Sequence, residues 1–513
     1  MEKELKPAEK NPWYVLATVY GEQTSSLVPV DPEPDELDEL ARYFDPNLHK
    51  KNRRIWNGWY GNCLTIEVRA ELAKRSGCAP DEFSQLTDDE LQDVRAAFDE
   101  RLGQNVEIPD PALPIDFSNT RFPHSVHFNE FVFPVETRFK HVVFVGSGSF
   151  HSSTFKGIAS FSEASFICDA CFSSAAFDRE AFFRETSFHD KCLFQSAVFS
   201  ARTWFDSAKF KGPADFMYAR FEDRALFRGT AFLDSAAFFQ VSFDAKVWFG
   251  GAEFESVANF DASDFSERAY FSKTRFGPSC RASFRDASFQ RPVSFSETQF
   301  IGWYPEFSGA VLPDEIEFSA TDKAVRETKD SGGKRYKTDH FWPDHKNIEN
   351  PADIQRSRRA CAIIRHALGR QGLPEDEHFF FRQEMDFAGR SGSWLERLPY
   401  RLFAAISMYG YSIARPAVAL FLLFLLPALV FKAAFELDCI SNGLTHFCVT
   451  FGQPFGLSFA NTFGFLGFHR LYFGGFLGSA PGWVQVLSGV QTVLGVILLF
   501  FLGLGLRTRF RLR

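Results

Sequence analysis

The sequence predicts a mainly β protein: a four-sided β-solenoid, preceded by an α-rich N-terminal region and followed by a C-terminal α-helical transmembrane hairpin. Three observations carry this. Phe accounts for 64 of the 513 residues. Of these, 34 recur at alternating steps of five and six residues, with one longer step. Two long apolar runs near the C-terminus are bracketed by arginines.

The repeat comes first. From Phe117 the pattern runs Phe122, Phe128, Phe133, Phe139, Phe144 and onward to Phe276, then resumes at Phe284, Phe289, Phe295 and Phe300. The residue two before each Phe is small or β-branched in nearly every unit (Ala159, Ala164, Ala170, Thr186, Val247); only Ile115 and Phe131 are bulky there. An eleven-residue period suits some helical supercoils, but positions five apart lie about 140° apart around a helix and leave no single stripe. On a strand, residues i and i−2 share a face, so each Phe and its small partner point inward together. Because five is odd, a flat strand would flip the next Phe outward; the chain must turn a corner between successive Phe. An even number of sides lets five-steps stack on five-steps, and four is the simplest solution. Between eight and nine coils at the ~4.8 Å spacing of paired strands make a rod about 40 Å tall. The step from Phe276 to Phe284 carries Gly277-Pro278-Ser279 and reads as an outward loop.

Segments such as FSSAAFDREAFF and FDSAKFKGPADF over residues 117–300 resemble the pentapeptide-repeat family, in its Phe-type variant with alternating five- and six-residue spacing. The resemblance implies a right-handed quadrilateral β-helix, a handedness that the spacing does not supply. Some members imitate DNA and bind type II topoisomerases, which needs a strongly negative rod. Residues 117–300 hold 21 acidic against 20 basic side chains, so this mimicry is not expected here.

Five regions follow: an N-terminal, mostly helical cap region over 1–112, the solenoid over 113–320, a polar linker over 321–350, a juxtamembrane helical hairpin over 351–400, and the transmembrane hairpin over 401–513. The first region is acidic, with 23 Asp/Glu against 13 Lys/Arg in residues 1–110, and Thr87 with Glu90 has the spacing of a capping box. Its cluster KKNRRIWNGWYGN mixes basic and aromatic residues, a pattern that can stack nucleic acid; packing on the first coil is the better account, and no nucleic-acid partner is expected. The N-terminus is charged and lacks an apolar signal-peptide core, which keeps the region cytoplasmic. Nine scattered Cys form no pair of CxxC units, so no metal is expected. Arginines 356, 358, 359, 365 and 370 load the first juxtamembrane helix with charge, for a solvated face or for anionic headgroups.

Residues 416–435 and 483–506 are each long enough to cross a hydrocarbon core of about 30 Å. Arg397, Arg401 and Arg415 precede the first, while Arg507, Arg509, Arg511 and Arg513 follow the second, which puts both flanks inside. The expected location is the cell (inner) membrane, multi-pass, with both termini cytoplasmic. The intervening loop is then outside the cytoplasm, where Cys439 and Cys448 would be able to form a disulfide. Its apolar stretch 454–470 reads as a re-entrant segment. Span, re-entrant segment and span together resemble the two-helix pore domains of potassium channels. In that resemblance Thr462, Phe463, Gly464 and Phe465 would be the pore segment, although Leu466 replaces the filter's last Gly.

No nucleotide-binding, dinucleotide, zinc-protease or nucleophile-elbow pattern occurs, so neither an enzyme nor a cofactor is expected. The expected function is a membrane-anchored scaffold or interaction protein. The alternative is a channel-like protein whose pore domain the solenoid regulates. The partners are the lipid bilayer, an unidentified protein and, for a pore, further copies of the same chain.

Overall fold

The computed structural model describes residues 5–22, 45–61, 64–76, 78–104, 106–319, 323–324, 328–329, 335–336, 339–344, 347–441, 452–473 and 481–510. It divides into two compact units, Met1–Phe380 and Phe381–Arg513.

In the first unit the repeat winds into a parallel β-solenoid of about nine turns. Two sheets of ten strands and two of eight line its four sides. Residues 22 apart lie side by side, as with Ala159 against Ala181 and Ala181 against Thr203. The Phe side chains form four stacked columns, beginning at Phe117, Phe122, Phe128 and Phe133. Within a column the rings lie nearly parallel, Phe183 and Phe205 at 4.8 Å and 5°. Between the Phe117 and Phe128 columns they meet edge to face, Phe194 and Phe205 at 5.4 Å and 86°, an arrangement that suits the aromatic quadrupole. Ile115 and Phe131, the two bulky exceptions, belong to the first coil. Phe131 meets Trp56 of the N-terminal region, with ring centroids 5.6 Å apart.

The two step lengths make different corners. In each five-residue step the second residue after Phe is left-handed: Asn119, Glu163, Ser174, Glu185, Ala262 and Lys273 all have φ between 56° and 63°. The amide of the next residue donates back to the Phe carbonyl, as from Ala164 to Phe161 at 3.1 Å, which is a tight turn with its positive φ at the third position. Where that next residue is Thr above the first coil, its buried hydroxyl donates to a Phe carbonyl of the coil below, Thr186 to Phe161 at 2.8 Å and Thr230 to Phe205 at 2.7 Å. These inward polar groups are therefore paired. The two extra residues after Phe276 leave Pro278 and Ser279 exposed, and the following coil is 24 residues long.

Both ends of the stack are covered. At the first coil, strand Lys6–Pro7 pairs with Thr120–Arg121, and helices Pro12–Ala17 (α1), Pro46–Trp59 (α2), Ile66–Ser76 (α3) and Asp88–Arg101 (α4) follow. Thr87 and Glu90 form the capping box of α4. Trp56 of α2 is fully buried and its indole donates to the Val132 carbonyl at 2.8 Å. Arg53 binds Glu82 through two hydrogen bonds of 2.7–2.8 Å and also pairs with Glu130. Within the basic-aromatic cluster Arg53 and Arg54 are thus matched by carboxylates, Arg54 by Glu90 at 3.1 Å, whereas Lys50 and Lys51 are exposed. At the last coil, Trp342 stacks on Phe300 at 5.2 Å and meets Phe380 edge to face at 4.9 Å. Trp342 lies within the segment read as a linker, so part of that segment closes the solenoid. Helix Pro351–Arg370 (α5) ends with Arg370 donating to the Leu312 carbonyl at 3.2 Å, while Asp353 near its start faces Arg281 at 3.4 Å. Arg365 faces Glu377 of helix Pro374–Ala388 (α6) at 3.9 Å. Part of the α5 charge is therefore taken up by protein, and not by headgroups.

In the second unit, helix Trp394–Ser407 (α7) ends in three consecutive left-handed residues, Met408, Tyr409 and Gly410. Helices Ala414–Ser441 (α8), Gly452–Thr462 (α9), Phe468–Tyr472 (α10) and Gly482–Phe510 (α11) follow. Two of them, over Ala414–Ala433 and Gly482–Thr508, are long and apolar enough to cross a membrane.

Candidate functional site

The sequence-predicted pore residues lie where α9 meets α11. Thr462 is the last residue of α9, and Gly464–Leu466 form one 3-10 turn whose amides return to nearby carbonyls, Leu466 to Phe463 at 2.9 Å. Thr462 is buried and donates to the Ser458 carbonyl at 2.8 Å, whereas Phe465 is 67% exposed. Phe463 and Gly464 are half-buried. Thr462 through Phe465 are adjacent in space as in sequence, but the backbone there is a helix end and a turn, not an extended run of carbonyls. Of the proposed disulfide, Cys448 and the side chain of Cys439 lie outside the described residues.

A polar cluster holds this region together. Pro427 interrupts α8, and because proline has no N–H the Leu423 carbonyl loses its helical donor. The Gln491 side-chain amide of α11 supplies one, at 3.0 Å. The same amide nitrogen reaches the Ser458 hydroxyl at 2.6 Å and the Thr462 hydroxyl at 3.0 Å. Ser458 in turn donates to the Phe424 carbonyl at 2.6 Å, and Asn461 donates to the Gln491 amide oxygen at 3.3 Å. Gly495 permits the close approach, since a Cβ there would overlap the Thr462 carbonyl oxygen. In hydrocarbon, backbone groups freed from a helix must find such partners. The signal was present in Pro427 and Gln491, but nothing in the sequence pairs them.

On the solenoid, Cys168 and Cys171 form a single CxxC, and Cys171 donates to the Ser173 hydroxyl at 3.6 Å. Burial raises the Cys171 pKa, but hydrogen bonds with His151 and Ser173 outweigh it and hold the thiol below its ordinary value. Cys168 goes the other way, pushed up by burial. Gly148 takes the inward position two before Phe150, against the Phe166 ring. Among the described residues no group of three His, Cys, Asp or Glu side chains is placed to hold a metal ion.

Chemically, the solenoid has an interior filled by buried aromatic rings, with its strands turning their other side chains to the outside. The family model described as pentapeptide repeats (9 copies) matches residues 183–231, so the solenoid of this chain carries pentapeptide repeats. Comparison with curated proteins and with solved structures gave no significant match in either set.

Proposed function

We propose that this chain is a scaffold: a cytoplasmic pentapeptide-repeat rod tethered by two membrane spans, which presents its flat faces to a protein partner. The observation that carries this reading is the filled interior. The Phe columns from Phe117 to Phe300 are buried at 0–1% exposure, so the rod is left with its outer faces for recognition. The polar cluster around Gln491 supports a structural hairpin, because its donors are spent on carbonyls and hydroxyls of the same unit. A second reading, a cation pore, draws on the helix α9 and turn lying between the two apolar helices. Full-length protein in liposomes separates the two. The scaffold gives vesicles that retain a cation gradient, with the protein resistant to alkaline extraction. Cation flux abolished by Gly464→Asp would establish the pore instead.

A further inference from the structure

One outer face carries aromatic residues where the others do not. Each strand points one residue outward, the one before its Phe. On the face of the Phe117 column, five consecutive coils place Phe182, Trp204, Leu226, Trp248 and Tyr270 there, in register across paired strands. The equivalent outward positions of the other three faces hold no aromatic side chain among the described residues. Phe182 and Trp204 stack at 4.3 Å, Trp248 and Tyr270 at 5.4 Å, both within 7° of parallel. Ring faces are therefore turned toward one another along the rod, and ring edges toward solvent.

A rail of cations runs beside this ladder. Arg202, Arg224, Lys246 and Arg268 stand two residues before Trp204, Leu226, Trp248 and Tyr270. Their carbonyls accept from Ala181, Thr203, Ala225 and Val247 of the coil below, at 2.9–3.2 Å, which stacks the four residues one above another. Arg184 and Arg202 lie over the Trp204 ring at 5.0 and 5.5 Å. Arg268 reaches Glu315 at 3.9 Å, while Arg202, Arg224 and Lys246 have no carboxylate partner among the described residues. In a rod whose charges nearly cancel, this strip is apolar and positive together, because aromatic edges carry positive partial charge.

We propose that this face docks an acidic segment of a partner protein, an inference that rests on the scaffold reading. Charge complementarity selects an acidic ligand. The stacking selects polypeptide over single-stranded nucleic acid, which needs open ring faces; here Phe182 and Trp204 cover each other, as do Trp248 and Tyr270, and arginines lie over Trp204. At its upper end the ladder runs into a cavity of about 560 Å³ lined by apolar Ile316, Phe318 and Leu368 but also by Glu297, Glu315, Glu317 and Asp376, so it admits an uncharged apolar anchor residue of the partner and not its acidic ones.

Full-length protein in discs of uncharged lipid, titrated with fluorescent poly(Glu,Tyr), tests the charge match by anisotropy. Reversal of Arg224 and Lys246 to Glu weakens binding by about tenfold or more, whereas the equal charge change at Lys209 and Lys211 on the adjacent face leaves it unaltered. Equal weakening by both pairs, or tighter binding of poly-dT than of the copolymer, overturns the proposal. A photo-cross-linking residue placed in cells at Leu226, Ala231, Ala237 or Ser242 samples all four faces of one coil. Capture from Leu226 is expected. Capture from another face instead overturns this assignment and leaves the scaffold standing, while no capture from any face overturns both.

Discussion

Phe205→Ala removes one ring from the middle of a column. Phe205 lies 4.8 Å from both Phe183 and Phe227, within 5° of parallel to each, and meets Phe194 and Phe216 edge to face at 5.4 and 5.5 Å. Truncation of a buried Phe costs about 3–5 kcal/mol, the upper part of that range applying where neighbours cannot collapse into the void. Here every neighbouring ring is fixed by a strand paired above and below, so we expect about 4 kcal/mol. In a solenoid each coil touches only its neighbours, so the loss stays local. Hydrogen exchange on the full chain reads it directly. Amides over 183–227 should exchange about a thousandfold faster, at 1.4 kcal/mol per decade, with the first and last coils unchanged. Phe205→Leu should cost about 1–2 kcal/mol. Acceleration of less than about tenfold would refute the rigid-column argument, and equal acceleration along the whole rod would refute its locality.

Three further outcomes follow from the geometry. His49 and His127 have their pKa values lowered from 6.5 to about 4, His49 by burial, then by Arg53 and His127, and His127 by burial alone. The folded state therefore holds them neutral, and the stability they contribute, about 2–3 kcal/mol each, is present above pH 6.5 and lost as pH falls toward 4; exchange at the first coil should rise across that window while the middle of the rod stays protected. Gln491→Leu should cost about 1–2 kcal/mol in detergent unfolding by leaving the Leu423 carbonyl unpaired, and should cost less in a Pro427→Ala background, which restores the helical donor; equal costs would break the link. Ala262→Gly should stabilise its corner by about 0.5–1 kcal/mol by relieving a left-handed alanine, visible as slower local exchange.

The solenoid was legible because its signal is repeated: 34 Phe with small partners leave one periodic solution. The two long apolar helices were legible from composition, and the capping box from Thr87 and Glu90. The left-handed corners were not, since the chain places Glu, Ser, Lys and Ala there and the backbone hydrogen bonds of the stack impose the conformation over residue preference. Trp342 looked like part of a linker because one aromatic in a polar stretch has no period, and only the open end of the last coil gives it a partner. The aromatic and cationic rails escaped for the opposite reason: their members are 22 residues apart, and only the coil length brings them together. The pairing of Pro427 with Gln491 likewise depends on helix contacts that local pattern cannot supply.

In the scaffold reading the rod is held at the cytoplasmic side of a membrane by two spans. Protease digestion of the full-length chain in membrane vesicles of known orientation tests it most directly. Cleavage N-terminal to α7 is expected only when the cytoplasmic face is outward, with the fragment containing α8 to α11 retained in the membrane. Cleavage in the opposite orientation, or release of the intact chain by alkaline washing, would contradict it.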